Sequence, residues 1–347
     1  MVALGMRKFL FWPHLIAGVL AGLVILVMSV TGVLLTYEKQ VVAWADSPAN
    51  RVPIPDGSAR LSIDQLLAAA PAKPSALTLS SDPTAAAQLT LPQNRVVFVD
   101  PYTGRITGEG CVPTRNFFRQ VTAWHRWLGQ NTPLSKGITG ASNLAFLFLL
   151  LTGVPMWIQR PIVWFRRRLS PKARDYNWHH VLGIWASVPL LLIVFTAVFF
   201  SYSWATPLLY RVTAEAVPAP EPPVVVGPGV GPGPYQPLFL KIQGPSWRSI
   251  TLRPAAGSFT VEEGSWGRVD LKTQWIFDPA SGALLRTERF ADLPLARRLR
   301  TWVRTVHTGE AAGWFGQTVA GLASAAAVVL VWTGLALSWR RLRAARS

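Results

Sequence analysis

Cysteine is all but absent from this sequence. The 347 residues hold one, Cys111, which excludes an intrachain disulfide, a cysteine zinc site and a cysteine-ligated iron–sulfur cluster. Histidine is scarce too, with five, and Asp and Glu number 17 against 34 Lys and Arg. Charged residues make up 15% of the chain, well under the roughly one quarter usual in soluble domains. Two motifs are missing as well. No Cys-x-x-Cys-His occurs, so covalent c-type haem attachment is excluded, and no Gly-x-Gly-x-x-Gly offers a built-in dinucleotide site. With a hydrophobic fraction of 50%, the composition is that of a membrane protein whose metal chemistry, if any, rests on histidine or carboxylate.

Four runs are long and apolar enough to span a hydrocarbon core, which needs about 20 helical residues: Leu15 to Leu35, Ile138 to Ile158, Val181 to Tyr202 and Trp314 to Trp339. Cations flank them on one side. Arg7 and Lys8 precede the first, Arg160, Arg166, Arg167, Arg168, Lys172 and Arg174 fill the second connection, and Arg340, Arg341, Arg343 and Arg346 follow the last. By the positive-inside rule both termini and the 159–178 loop face the cytoplasm of a bacterial inner membrane. The formal charge of +17 is thereby read as a topology signal and not as a nucleic-acid surface. The first run exceeds a signal-peptide h-region and no small-residue cleavage site follows Tyr37-Glu38-Lys39, so residues 1–37 are expected to include a retained helix.

Residues 38–137 and 203–313 then lie outside, too long for simple loops and expected to form two small α+β domains. Ser62 is placed to cap a helix through Ala70, while Leu77-Thr78-Leu79, Arg95 to Val99, Ser249 to Leu252 and Gln274 to Phe277 read as strands. A Gly/Pro tract, Gly227 to Pro234, reads as a linker. The two segments repeat: Asp100-Pro101-Tyr102-Thr103-Gly104 answers Asp278-Pro279-Ala280-Ser281-Gly282, and each is followed by an amphipathic helix, Phe117 to Leu128 and Leu295 to Val306. The expected fold is an α-helical integral membrane protein, a four-helix bundle with two external domains arranged as an internal duplication.

The histidines follow the repeat. His14 precedes Gly18 by four residues and Thr31 by seventeen; His179 precedes Gly183 by four and Thr196 by seventeen. His125 stands 27 residues before Thr152, and His307 26 before Thr333. Since the first and third spans start inside and the others outside, His14 and His179 share one membrane face and His125 and His307 the other. Two imidazoles facing each other from different helices are what a six-coordinate b-type haem requires, and bundle cores are common places to build such a site. Two haems are therefore expected. His180 is an alternative to His179. Arg126, Arg300 and Arg304 outside, with Arg7, Lys8 and Arg174 inside, are candidate partners for haem propionates. The Thr-Gly pairs at 31–32, 152–153 and 333–334 border the opposite haem or simply pack helices.

These elements together, His14-x-x-x-Gly18 with Thr31-Gly32, His125-Arg126-Trp127-Leu128-Gly129, Trp178-His179-His180-Val181-Leu182-Gly183, His307-Thr308-Gly309 and the external Asp-Pro-x-x-Gly turns, resemble the PepSY-associated transmembrane family, iron-regulated proteins that include inner-membrane siderophore reductases. The resemblance covers essentially the whole chain. It implies two PepSY-like periplasmic domains, two b-type haems on His14, His179, His125 and His307, and reduction of a ferric siderophore in the periplasm by electrons from an external donor in the cytoplasm or membrane. The Gly/Pro tract departs from the helix that usually opens such a domain. A membrane-anchored binding or regulatory module and a siderophore transporter are the other function classes; few charged groups inside the spans mark a solute path.

Overall fold

The computed structural model describes residues 2–218, 235–244, 246–264, 267–278 and 281–344, with side chains from residue 9 onward. The expected 227–234 linker, the side chains of Arg7 and Lys8, and Pro279, Ala280 and Arg346 lie outside the described residues. Along the chain run α1 (Val2–Leu35), α2 (Glu38–Asn50), α3 (Ile63–Ala68), β1 (Ala76–Ser80), β2 (Ala87–Thr90), β3 (Val96–Val99), β4 (Ile106–Glu109), α4 (Val112–Trp127), α5 (Pro133–Ile158), α6 (Pro171–Trp185), α7 (Ser187–Ser201), α8 (Ala205–Val212), α9 (Tyr235–Ile242), β5 (Trp247–Arg253), β6 (Ser258–Glu263), β7 (Lys272–Phe277), β8 (Leu284–Arg289), α10 (Leu295–His307) and α11 (Gly313–Ala344). They divide into two compact units, one made of residues 1–38, 117–212 and 302–347, the other of residues 39–116 and 213–301.

The first unit is helical. Phe9–Leu35, Pro133–Ile158 and Glu310–Ala344 are each long and apolar enough to cross a membrane. The third expected span differs from the sequence reading of a single run from Val181 to Tyr202. It is a pair, α6 and α7, bent by 67° at Ala186. Pro189 explains the break: it has no N–H to give the Trp185 carbonyl, and its ring crowds that same oxygen. α1 packs against α5 and α11, and α11 against α6 and α7. Inside, Ala186 and Leu190 interlock with Ala323 and Ala327. Buried Asn143 donates to the Val194 carbonyl at 3.3 Å.

The second unit holds one antiparallel sheet of eight strands in the order β4-β3-β2-β1-β5-β6-β7-β8. Two separate domains were the expectation; instead β1 and β5, each the edge of its own four-stranded meander, pair with each other from Leu77↔Leu252 to Ser80↔Ser249. An unpaired strand edge carries unsatisfied N–H and C=O groups, and joining the two edges satisfies both. The Thr78 and Thr251 hydroxyls meet across the seam at 3.0 Å. Each half follows the same order of short helix, four strands and amphipathic helix.

The helix expected to be missing from the second half is present as α9, starting just past the Gly/Pro tract. α3 and α9 cap one another. Asp64 on α3 accepts from the Tyr235 and Gln236 amides (3.1 and 3.2 Å), and Gln236 accepts from the Ile63 amide (2.8 Å). Ser62 and Gln65 complete a capping box at the start of α3. Both helices cover one sheet face, where Ile63, Leu66, Phe239 and Ile242 meet Leu77, Leu89, Leu252, Phe259 and Phe277. The two Asp-Pro turns close alike: the Gly104 amide donates to the Asp100 carbonyl and the Gly282 amide to the Asp278 carbonyl, with φ of +72° and +69° at the glycines.

A carboxylate in this sheet sets an acid limit on the unit. Glu262 of β6 lies between Arg248 of β5 (2.5 Å) and its cross-strand neighbour Lys272 of β7 (2.6 Å). Burial alone would raise its pKa; the hydrogen bonds and charges of Lys272 and Arg248 outweigh it and hold the pKa below the ordinary 4.5. A lowered folded-state pKa gives stability that is complete above the unfolded value and is lost as pH falls through the folded one. The sheet unit of the wild type is therefore expected to lose melting temperature on acidification below about pH 4.5 more steeply than that of Glu262→Gln, as followed by calorimetry. Parallel acid limbs would rule the pair out as a stabilising contact.

Candidate functional site

Four histidines of the helical unit are each held through Nδ1 by a threonine on another helix. His14 of α1 meets Thr152 Oγ1 of α5 at 2.8 Å, and His125, near the end of α4, meets Thr31 Oγ1 of α1 at 3.0 Å. His179 of α6 meets Thr333 Oγ1 of α11 at 3.0 Å, and His307, which ends α10, meets Thr196 Oγ1 of α7 at 3.3 Å. The exchange is reciprocal. The first span takes a histidine from the α4–α5 arm and gives one back; the bent third span does the same with the α10–α11 arm.

The threonines' own protons decide which imidazole nitrogen is protonated. A threonine inside an apolar helix gives its hydroxyl hydrogen to the carbonyl one turn back. Thr31 does so to Val27 O (2.6 Å), Thr152 to Phe148 O (2.8 Å), Thr196 to Leu192 O (2.6 Å) and Thr333 to Val329 O (2.8 Å). Only lone pairs are left facing the imidazoles, so each Nδ1 must donate. His125 and His307 confirm the assignment independently, because their Nδ1 atoms also face carbonyls, Met28 O at 3.0 Å and Ile193 O at 2.9 Å, which can only accept. With the proton on Nδ1, each Nε2 keeps its lone pair. Among the described residues no hydrogen bond reaches any of the four Nε2 atoms.

The glycine after each threonine leaves room for the ring. A Cβ at Gly32, Gly153 or Gly334 would stand 3.6, 3.5 or 3.4 Å from Cε1 of His125, His14 or His179. At the fourth position Ala197, not glycine, follows Thr196. Gly18, Gly22 and Gly183 have another role: each faces a leucine of a neighbouring helix, Leu149, Leu335 and Leu330, which makes them helix-packing positions.

His125 and His307 stand face to edge, with ring centres 6.3 Å apart and planes at 65°. Phe200 lies against His307 at 5.3 Å. His14 is within electrostatic range of His179. His180 does not join them. Its Nδ1 donates to the Tyr176 carbonyl of its own helix at 3.0 Å and its ring stacks on Tyr176 at 4.1 Å, so His179 alone repeats the threonine pattern. Of the cations named as anion partners, Arg174 is committed to buried Asp175 at 2.9 Å, and Arg126 lies over the Trp127 ring. Among the described residues no cluster of three or more His, Cys, Asp or Glu side chains could hold a metal ion.

Sequence spacing marked the threonines but not their task. The available signal was a threonine recurring once per apolar span, 17 residues after its histidine in the first and third spans and 27 or 26 in the second and fourth.

The family model of the PepSY-associated TM region matches residues 11–341. The chain belongs to the PepSY-associated TM family. No curated protein matches the sequence. In this PepSY-associated protein the matched region takes in all four histidines, all four threonines and both halves of the sheet.

Proposed function

We propose that this PepSY-associated protein is a di-haem reductase of the bacterial inner membrane, taking electrons from a donor in the cytoplasm or membrane and delivering them to a ferric siderophore in the periplasm. The observation that carries the reading is the set of four imidazoles, oriented by threonine and left with a free Nε2. A bis-histidine haem would need one imidazole from each of two helices, and the His125 and His307 rings, from α4 and α10, stand with centres 6.3 Å apart. These two would hold the outer b-type haem, and His14 and His179 the inner one. A haem so held supplies a one-electron ferric/ferrous couple.

The protein's part is to orient and tune. Each Nδ1–H···Oγ1 bond fixes the ring and raises the basicity of the opposite nitrogen. The residues also span the right depth. His14 serves one site and Thr31, through His125, the other, and seventeen residues of α1 rise about 25 Å, most of a hydrocarbon core.

Orientation comes from the flanks. Counting the bent pair as one crossing gives four, and the arginines of the α5–α6 connection and of the end of α11 support a reading with both termini in the cytoplasm. The connections that carry the sheet are then periplasmic, and their equivalent element order supports a duplicated, PepSY-like unit. For the acceptor we take the ferric siderophore that the family resemblance implies.

The test is stoichiometric. Dithionite-reduced protein, freed of excess reductant under argon, is mixed with a ferric siderophore and a ferrous-specific chromophore. Two ferrous ions per chain are expected as the reduced visible spectrum reverts. Ferrous yield no greater than that of a protein-free control would end the reductase reading.

A further inference from the structure

A cleft of about 420 Å³ opens in the helical unit between the α5–α6 connection, the first turns of α6 and Leu337 of α11. Ile162, Leu169, Ala173 and Leu337 give its lining an apolar part. Arg166, Lys172 and Ser170 add two cations and a hydroxyl.

The wall is built, not loose. The Trp157 indole donates to the Ile162 carbonyl at 3.1 Å and the Trp185 indole to the Val163 carbonyl at 3.0 Å. Asn177, buried at 2% exposure, holds the same stretch of chain, donating to the Trp164 carbonyl and accepting from the Arg166 amide, both at 3.1 Å. Four hydrogen bonds therefore hold residues 162–166 in place.

Among the described residues no carboxylate compensates the cations of the lining. The nearby carboxylate, Asp175, is 2% exposed and fully taken up by Arg174 at 2.9 Å and Arg340 at 2.7 Å. Arg166 and Lys172 have no carboxylate partner among the described residues. Ser170 sits at the N-cap of α6 with no cap bond from its side chain, so its hydroxyl is free to donate outward. Exposed Trp164 and Phe165 adjoin Arg166 in the chain, and aromatic side chains sit comfortably at the headgroup level. A lining that joins apolar side chains to two cations, at the end of helices long and apolar enough to cross a membrane, fits a ligand with an anionic head and an apolar body. Basic pockets between such helices take anionic lipid headgroups.

We infer that this cleft binds one anionic phospholipid, its phosphate held by Arg166, Lys172 and Ser170 and the start of its acyl chains laid over Ile162, Leu169, Ala173 and Leu337. The lipid braces the α5–α6 connection against the end of α11. The cleft's chemistry is independent of what the histidines hold.

The full-length protein in a neutral detergent is titrated with phosphatidylglycerol, phosphatidylcholine and inorganic phosphate while its melting temperature is followed. Phosphatidylglycerol alone is expected to raise it, and the double variant Arg166→Gln/Lys172→Gln to weaken that effect at least tenfold, while Arg167→Gln/Arg168→Gln, equal in charge but outside the cleft, leaves it intact. A photoactivatable phosphatidylglycerol on the wild type reports without mutation, with cross-links expected at 162–173 and 337. Equal stabilisation by phosphatidylcholine, equal stabilisation by phosphate, equal loss in both double variants, cross-links elsewhere, or a co-purifying quinone displaced from the cleft by none of these lipids would each overturn the assignment.

Discussion

Purified after expression with ample haem, the protein is expected to carry two b-type haems per chain by pyridine haemochrome, and His307→Ala to carry one. The loss is all or none at a site because each pair has only two protein ligands, with no third carboxylate, cysteine or histidine to substitute among the described residues. The sites share no histidine or threonine, so the other haem should keep its six-coordinate low-spin spectrum. The pairing itself is testable through non-additivity. His125→Ala/His307→Ala should lose no more than either single variant, whereas His14→Ala/His307→Ala should lose both haems. His180→Ala should keep both, since that ring is bonded within its own helix. A colourless wild type, or a double variant at 125 and 307 that loses two haems where each single loses one, would refute the assignment of pairs.

The next largest effect is expected at the threonine that holds His14. Thr152→Val keeps the shape but removes the acceptor for Nδ1–H, and no other acceptor takes its place. A buried donor left unpaired costs about 1–3 kcal/mol, and loss of such a partner typically weakens metal affinity about 10–100-fold. Thr31→Val and Thr196→Val should cost less than about tenfold by the same reasoning, because the Met28 and Ile193 carbonyls still accept from His125 and His307. Gly153→Ala should be tolerated, because its Cβ would stand at an ordinary van der Waals distance, 3.5 Å, from Cε1 of His14, whereas the longer side chain of Gly153→Leu should displace that ring. Haem retention during competition with apomyoglobin measures all five. Equal losses for Thr31→Val and Thr152→Val would show that the carbonyls do not share the load.

Much of the architecture was legible in residue patterns because local physics dictates it. Ser62 signalled the start of α3, the alternation at Leu77 to Leu79 and at Ser249 to Leu252 signalled β1 and β5, and the paired Asp-Pro turns signalled strand ends. What misled was context. The Gly/Pro tract suggested that the second half lacked its helix, yet α9 begins at Tyr235, where the tract stops. Pro189 carried the bend at Ala186, but a hydropathy window registers only its neighbours.

Hydropathy, flanking cations and the repeat of histidines were thus set by the sequence itself, since each acts through a property that a segment carries alone: the apolar length of one helix, the charge beside it, the spacing along it. Two decisions belonged to the tertiary structure. The joining of the two meanders needed two strand edges, more than 160 residues apart in register pairs such as Thr78↔Thr251, to meet with matching hydrogen-bond rows. The choice of imidazole nitrogen needed a hydroxyl 94 to 154 residues away, already committed to its own helix. Such partners are fixed by packing, because a hydrogen bond depends on ångström separation in space and leaves no periodic trace along the chain.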